Sequence, residues 1–398
     1  MRKTPPRLRP PLRIAAFLPL ETEHGRSILR GIARYYRSRA EVTVLKFAQT
    51  SGYNAAKLKR LRVHAIIAKV ATSRDERCLA SLRLPVVNIS GEMATTRVPM
   101  INSDDESVGR MALHHFHRRG YRNFGYAGSP THHGSQQRLN AFREEARKSA
   151  EPGSDSTVSA HFLPLGDQTA PYPERVRQKL TDWVRQLPCP AGVFTFTDRV
   201  ALEVEDACRT LGRRIPQDIA ILGVGNDLTR IEFAHVELSS IQLNADSIGW
   251  LAAERVDRLL RGERVATATT LVPPMKIITR RSTDAYAVAD EAVGIALDHI
   301  RENVGNAIYV DEIARAAGVS RRGLEMRFRQ SLGLSIYQEV QRQQLELAAD
   351  LLTQPELPIG EIAFRTGFSS NASFTRAFRR HHGKSPSAFR EGRARIGR

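Results

Sequence analysis

The apolar positions set one rhythm over the first two thirds of the chain and another over the last. RIAAFLPL (13–20) is a short apolar run of strand length. RSILRGIARYYRSR (26–39) then spaces its apolar residues at 28, 29, 32, 35 and 36, one face of a helix. EVTVLKF (41–47), HAIIAKV (64–70), LPVVNIS (84–90), RNFGYAG (122–128), AGVFTF (191–196) and DIAILGV (218–224) repeat the strand signal. Helical periods fall at about 107–119, 136–149, 174–187, 198–211 and 246–261. Runs of Val, Ile, Ala and Phe alternating with helices predict parallel sheets covered on both faces. About 270 residues of this pattern exceed one such sheet, so it predicts two α/β lobes. TTLVPPMKIITRRSTD (269–284) reads as a closing strand that runs into a polar linker.

Beyond Val288 the strand signal stops and helices joined by short turns take over. The expected organisation is a basic flexible tail (1–11), a two-lobed α/β domain (12–281), a linker (282–288), an all-α domain (289–392) and a basic tail (393–398).

Two segments of the all-α part share a plan. In VDEIARAAGVSRRGLEMRFRQSLG (310–333), Ala314 is followed by Gly318, then Leu324 and Phe328. In IGEIAFRTGFSSNASFTRAFRRHHG (359–383), Ala363 is followed by Gly367, then Phe374 and Phe378. Each spacing predicts a helix-turn-helix. The Ala lets the second helix cross closely, and the Gly takes the tight turn. Ser320 and Ser370 are placed to cap the second helices. The i, i+4 pairs Leu324/Phe328 and Phe374/Phe378 are expected to pin those helices inward. Arg321, Arg322, Glu325 and Arg329 then project from the first recognition helix, with Ser320 at its start. Asn371, Ser373, Thr375 and Arg376 project from the second. Arg reads guanine, Asn reads adenine, and Glu accepts from cytosine. Arg379, Arg380 and Lys384 lie further along and suit phosphates.

Charge sharpens this reading. The chain carries 60 Lys and Arg against 42 Asp and Glu, a formal net charge of +18, which favours an acidic polymer as partner. From 289 onward the count is only 16 against 13, so the basic residues are concentrated locally; none of the residues from Ile362 to Arg390 is acidic. The three cysteines, Cys78, Cys189 and Cys208, form no CxxC and fit a reducing cytoplasm. Nowhere do 18 apolar residues run together, so no membrane partner is expected.

Residues 289–391, from VDEIARAAGVS through GFSSNASFTRAFRRHHGKSPSAFR, resemble the AraC-type DNA-binding domain. The resemblance implies two recognition helices in successive major grooves on one face of double-stranded DNA. Arg322, Glu325 and Met326 match base-facing positions of the first helix, and Asn371, Ser373 and Arg376 those of the second. Met326 stands where a basic residue is common, and Gln344 where the intervening helix (338–352) often has Arg.

The first 280 residues resemble the LacI/type I periplasmic-binding-protein fold through INSDDESVGRMALHHFHRRGYRNFGYAG (101–128), SQQRLNAF, FTFTDRVA (194–201), IPQDIAILGVGND (215–227), LSSIQLNADSIGWLAAERVDRLL (238–260) and LVPPMKIITRRST (271–283). The combination resembles the xylose-operon regulator family. It implies a sugar clamped between lobes, transcriptional control as an activator, RNA polymerase as a partner and a homodimer.

The chemistry of the residues agrees. Sugars need planar polar groups, and ligands of open α/β sheets bind at the carboxyl ends of strands. Asp104, Arg138, Asp198, Asn226 and Asp227 fall there, and Glu21 and His24 follow the first strand. Each also has a structural reading as a helix cap or loop anchor, Asp104 and Asp198 above all. Gly225-Asn226 stands where xylose-type relatives carry Asp-Asn: either a carboxylate is missing, or Asp227 supplies it.

No catalytic residue, metal or cofactor is expected. GVGNDL (223–228) lacks the third glycine of a nucleotide loop, and no cysteine sits at a strand-to-helix elbow. His132-His133 and His381-His382 lack the companions of a metal site. The rival function is a regulator of the same architecture whose sensor binds or processes a non-sugar metabolite.

Overall fold

The computed structural model describes residues 11–48, 52–149, 157–164, 170–265, 267–284, 286, 290–306, 308–352 and 356–394. The chain divides into two compact units. One runs through Asp284; the other holds the residues beyond it and counts 118–121 with them.

In the first unit the strands are β1 (Leu12–Leu18), β2 (Val42–Ala48), β3 (Ala65–Ala68), β4 (Val86–Asn88), β5 (Ile101–Ser103), β6 (Asn123–Gly128), β7 (Val158–Phe162), β8 (Ala191–Thr195), β9 (Ile219–Val224), β10 (Ser239–Gln242), β11 (Thr270–Val272) and β12 (Lys276–Ile278). The helices are α1 (Glu23–Tyr36), α2 (Ala55–Arg60), α3 (Ser73–Ala80), α4 (Asp105–Arg118), α5 (His133–Lys148), α6 (Glu174–Gln186), α7 (Asp198–Thr210), α8 (Leu228–Ile231) and α9 (Ala245–Leu260). The second unit holds α10 (Glu291–Glu302), α11 (Val310–Ala316), α12 (Arg321–Leu332), α13 (Ile336–Leu351), α14 (Ile359–Arg365), α15 (Asn371–His382) and α16 (Pro386–Ala394).

Two sheets make two lobes. The first lobe is a parallel sheet in the order β2-β1-β3-β4, with β5 and β11 paired beside it. The second has the order β12-β10-β9-β8-β6-β7, parallel except for β12. β3, β8 and β9 are buried throughout, as strands covered on both faces must be.

The closing stretch departs from the single strand expected. Pro273 and Pro274 offer no backbone N–H, so the ladder ends there. β11 before them joins the first lobe, and β12 after them runs antiparallel to β10 in the second. The chain thus crosses between lobes at the proline pair.

Helix α1 is mounted on α9 without side chains between them. A Cβ on Gly31 would stand 1.9 Å from the Asp246 carbonyl oxygen, and one on Gly249 would stand 2.0 Å from that of Ile28. Around this contact Ile28, Ile32, Ile248 and Ala252 are fully buried.

The second unit has two small cores. Val293, Leu297, Ile313, Leu324 and Phe328 form one; Leu345, Ile362, Phe374 and Phe378 form the other. Leu324, Phe328, Phe374 and Phe378 are all 0% exposed, so the aromatic pairs pack inward as the spacing predicts.

Candidate ligand cleft and nucleic-acid interface

A cavity of about 240 Å³ opens between the lobes of the first unit, at the carboxyl ends of their strands. From the first lobe it is lined by the β1–α1 turn with Glu21 and His24, by Lys69 after β3 and by Glu92 after β4. From the second it is lined by Asp105, His132 and Arg138 of α4, α5 and the turn before α5, by Phe196 and Asp198 after β8, and by Asp227 after β9.

Most of the charge in the cleft is spent within the protein. The guanidinium of Arg138 is nearly fully buried; its Nε donates to Asp105 Oδ1 at 2.7 Å, its Nη1 donates to the Phe196 carbonyl at 2.7 Å, and its plane lies 4.6 Å from the Phe196 ring centroid. Lys69 pairs with Glu92 at 2.5 Å. Asp227 reaches across the cleft: it accepts from the Glu23 backbone N–H at 3.2 Å and pairs with Arg26 at 3.2 Å, both on α1 of the other lobe. On the far side, the backbone N–H groups of His133 and Gly134 donate to the carbonyls of Glu92 and Gly91. Arg230 pairs with Asp227, and Arg199 donates to the Ala170 carbonyl over the Tyr172 ring.

Asp198 is 2% exposed. It accepts from the Asp227 backbone N–H at 2.8 Å and from the Ser240 hydroxyl at 2.6 Å. Burial outweighs these bonds and pushes its carboxyl up to about 6, with the nearby Asp227 charge adding to the rise. The cap of α7 is its neighbour Thr197, whose side chain accepts from Val200 N–H.

Two imidazoles are treated differently from the rest. His24 Nδ1 and His132 Nδ1 are buried and have no hydrogen-bond partner among the described residues. Burial, followed by the charges of Arg138 and Lys69, pulls His24 down to about 4 and His132 down to about 3, so both rings are neutral near pH 7. A buried polar atom without a partner costs about 1–3 kcal/mol.

Glu21, His24, Arg138, Asp198 and Asp227 therefore line one cavity. Asp104 and Asn226 do not. Asp104 caps α4, accepting from Ser107 N–H at 3.0 Å and from the Ser107 hydroxyl. The cleft-facing carboxylate is its neighbour Asp105, because a cap points back along the helix it starts. Asn226 sits at φ +51°, a left-handed conformation Asn tolerates, and its Oδ1 accepts from Arg280 at 2.8 Å. Sequence reasoning missed Lys69, Glu92, Asp105, His132 and Phe196. The doublet His132-His133 was the one visible signal among them, and it pointed toward metals. Among the described residues no group of three His, Cys, Asp or Glu could hold a metal ion.

In the second unit, α11–α12 and α14–α15 are two helix-turn-helix pairs. Gly318 (φ +66°) and Gly367 (φ +77°) make the turns, and Gly333 and Gly383 end the second helices in the left-handed conformation. Ser320 accepts from Gly323 N–H and Ser370 from Ser373 N–H, each at 3.2 Å. The outward faces carry the expected side chains. Arg321, Arg322, Glu325, Arg329, Asn371, Arg376, Arg379, Arg380 and Lys384 are exposed; Thr375 and Ser373 are half-buried. Three are engaged within the protein. Arg321 pairs with Glu325 at 3.1 Å, Arg380 donates to Gln341 at 2.9 Å, and Ser373 donates its hydroxyl to the Ser370 carbonyl. Exposed pairs of this kind are worth about 0–1 kcal/mol, so phosphate or base groups compete with them readily.

A family profile for a periplasmic binding protein-like domain matches residues 113–283, and one for a helix-turn-helix domain matches 313–392. The xylose operon regulatory protein of Escherichia coli strain K12 is 27% identical over 95% of this chain and 97% of its own length. The chain is a XylR-like transcriptional regulator. A solved structure described as the xylose-binding transcription activator xylR superposes with a TM-score of 0.60 at 26% identity, covering 95% of this chain and 97% of that one. The sensor part of the regulator shares its fold with a periplasmic binding protein/LacI regulator from Alkaliphilus metalliredigens solved with D-xylulofuranose (TM-score 0.54, 21% identity, 68% of this chain and 98% of that one). Its second unit is an AraC-type double helix-turn-helix, and no helix among the described residues is long and apolar enough to cross a membrane.

Proposed function

We propose that the regulator takes a small uncharged sugar, a pentose such as xylose, into the cleft between its lobes, and that occupancy governs its action on a promoter as an activator. One observation carries the uncharged class: each cation lining the cleft is already engaged, Lys69 by Glu92, Arg138 by Asp105, Arg199 by a carbonyl and Arg230 by Asp227. A sugar acid or phosphate would bring charge to a site with no unspent counter-charge, whereas hydroxyls suit its carboxylates and imidazoles. The relatives named for the xylose operon and for xylose binding favour a pentose. Glu21, His24 and Asp198 are the contacts this reading assigns to the sugar, with Arg138 and Asp227 as supports. Arg322, Glu325, Asn371 and Arg376 read bases, while Arg329, Arg379, Arg380 and Lys384 hold phosphates. The reading extends to a cytoplasmic homodimer that engages RNA polymerase and catalyses nothing.

The test is a thermal-shift and calorimetric screen of the full chain against D-xylose, L-arabinose, D-ribose, D-glucose, D-xylonate and D-xylulose 5-phosphate. A cognate sugar at 100 times its Kd should stabilise the protein by about 2.7 kcal/mol. Binding of the acid or the phosphate in preference to every neutral sugar would overturn the uncharged reading. Conversion of the bound sugar would overturn the non-enzyme reading.

A further inference from the structure

Three buried side-chain nitrogens or oxygens of the described residues lack a hydrogen-bond partner, and two of them face the same cavity. They are His24 Nδ1, on the first turn of α1 in the first lobe, and His132 Nδ1, just before α5 in the second. The polar groups around them are satisfied by the protein, in the ion pairs and hydrogen bonds given above. The exception is confined to two rings that approach from opposite walls.

We infer that His24 and His132 form a two-sided hydroxyl clamp, each Nδ1 taking one hydroxyl of the uncharged sugar, so that the cleft selects ligands by the presence of those two hydroxyls. The inference rests on the sugar reading above and assigns its specificity. Chemistry narrows the ligand class. A neutral imidazole nitrogen either donates or accepts, according to tautomer, and a hydroxyl does both, so a hydroxyl satisfies either form. A carboxylate or phosphate only accepts, and an apolar group leaves both nitrogens orphaned. The mounting suits the role. His24 is carried on α1, whose backbone is seated against α9 at Gly31 and Gly249, and whose N-terminus is tied across the cleft by Asp227. The His132 ring lies 4.7 Å from the Phe196 ring, which Arg138 covers on its own side. Neither ring has room to turn its nitrogen away. Because the two walls belong to different lobes, one ligand that satisfies both nitrogens also ties the lobes together.

The experiment uses the full chain and the neutral sugar that binds it most tightly in the screen, with D-xylose tried first, plus the monodeoxy analogues of that sugar. His24→Phe and His132→Phe keep ring size and remove the nitrogen. Each should weaken sugar binding about tenfold or more while the sugar-free protein melts no lower than wild type, since the lost atom had no partner. His24→Asn and His132→Asn, which offer an amide near the Nδ1 position, should recover most of the affinity. Deoxygenation at the clamped hydroxyl should cost wild type as much as the Phe change does, and should cost the Phe variant little more. Phe variants that bind within about twofold of wild type would overturn the clamp while leaving the sugar reading standing. Sugar-free Phe variants that melt well below wild type would also overturn it, by showing a structural role. If no neutral sugar binds wild type, the sugar reading and the clamp fall together.

Discussion

Arg138 shows how a single side chain changes meaning between sequence and structure. As an arginine near a strand end it reads as a sugar contact; in the fold its guanidinium is buried against Asp105, a carbonyl and a ring. Truncation therefore strands a buried carboxylate, and Arg138→Ala should destabilise the sensor by about 3–5 kcal/mol in denaturant unfolding. A change under about 1 kcal/mol would show that water reaches the pair. Asp198 yields a pH signature. Its carboxyl titrates near 6 in the folded protein and near 3.8 when free of the fold, so the folded state holds its proton more tightly. That contribution to stability is fully present below about pH 4 and is lost as pH rises through 6, amounting to about 3 kcal/mol. Asp198→Asn has no such titration. Its stability relative to wild type should rise by up to that amount between pH 4 and 7; a constant difference would mean that Asp198 titrates normally.

At the scale of elements, the legible parts were those whose signal is local. Strands β1, β3, β8 and β9 and the long helices announce themselves by period, and both helix-turn-helix units by the Ala, Gly, Ser and Phe at fixed offsets. The short strands β5 and β7 were not legible. VSAHF and INS carry no apolar run, and each exists because a neighbouring strand supplies its ladder. The cleft was half legible for a related reason. Which residues follow a strand can be read along the chain, but which of two adjacent aspartates caps a helix and which faces the cavity depends on the turn. Asp104 and Asp105 divide those tasks in an order the sequence does not mark. The two turn glycines differ in a way only packing reveals. A Cβ on Gly318 would meet nothing within 4 Å, whereas one on Gly367 would stand 2.5 Å from Gln344 Nε2 and 2.8 Å from the Asn306 carbonyl oxygen. Gly318→Ala should cost about 1–2 kcal/mol, from left-handed strain alone. Gly367→Ala should cost distinctly more, as measured by urea unfolding of the helical unit. Equal costs would mean that Gln344 moves aside freely.

For the whole molecule, the consequence of two reading units in one chain is a split footprint. Successive major grooves on one DNA face lie about 34 Å, or roughly 10 base pairs, apart. Arg322→Ala should cost about 1–3 kcal/mol and relax specificity in one block of the operator, and Arg376→Ala should do so in the other. Uniform weakening across all sequences would make that arginine a phosphate contact instead. Affinity should also fall steeply between about 50 and 200 mM salt, as counterion release requires, and a flat salt response would remove Arg379, Arg380 and Lys384 from the phosphates. The seat of α1 on α9 bears on a different matter, the making of sensors for new compounds. Gly31 and Gly249 fix the helix by its backbone, so the side chains on its leading turn are cargo rather than structure. Exchange at Glu21 or His24 alters what the cleft recognises without disturbing how the helix is held, whereas any side chain at the two glycines pries the helix off its seat. A library aimed at new effectors has its freedom at the tip of α1 and none at its footing.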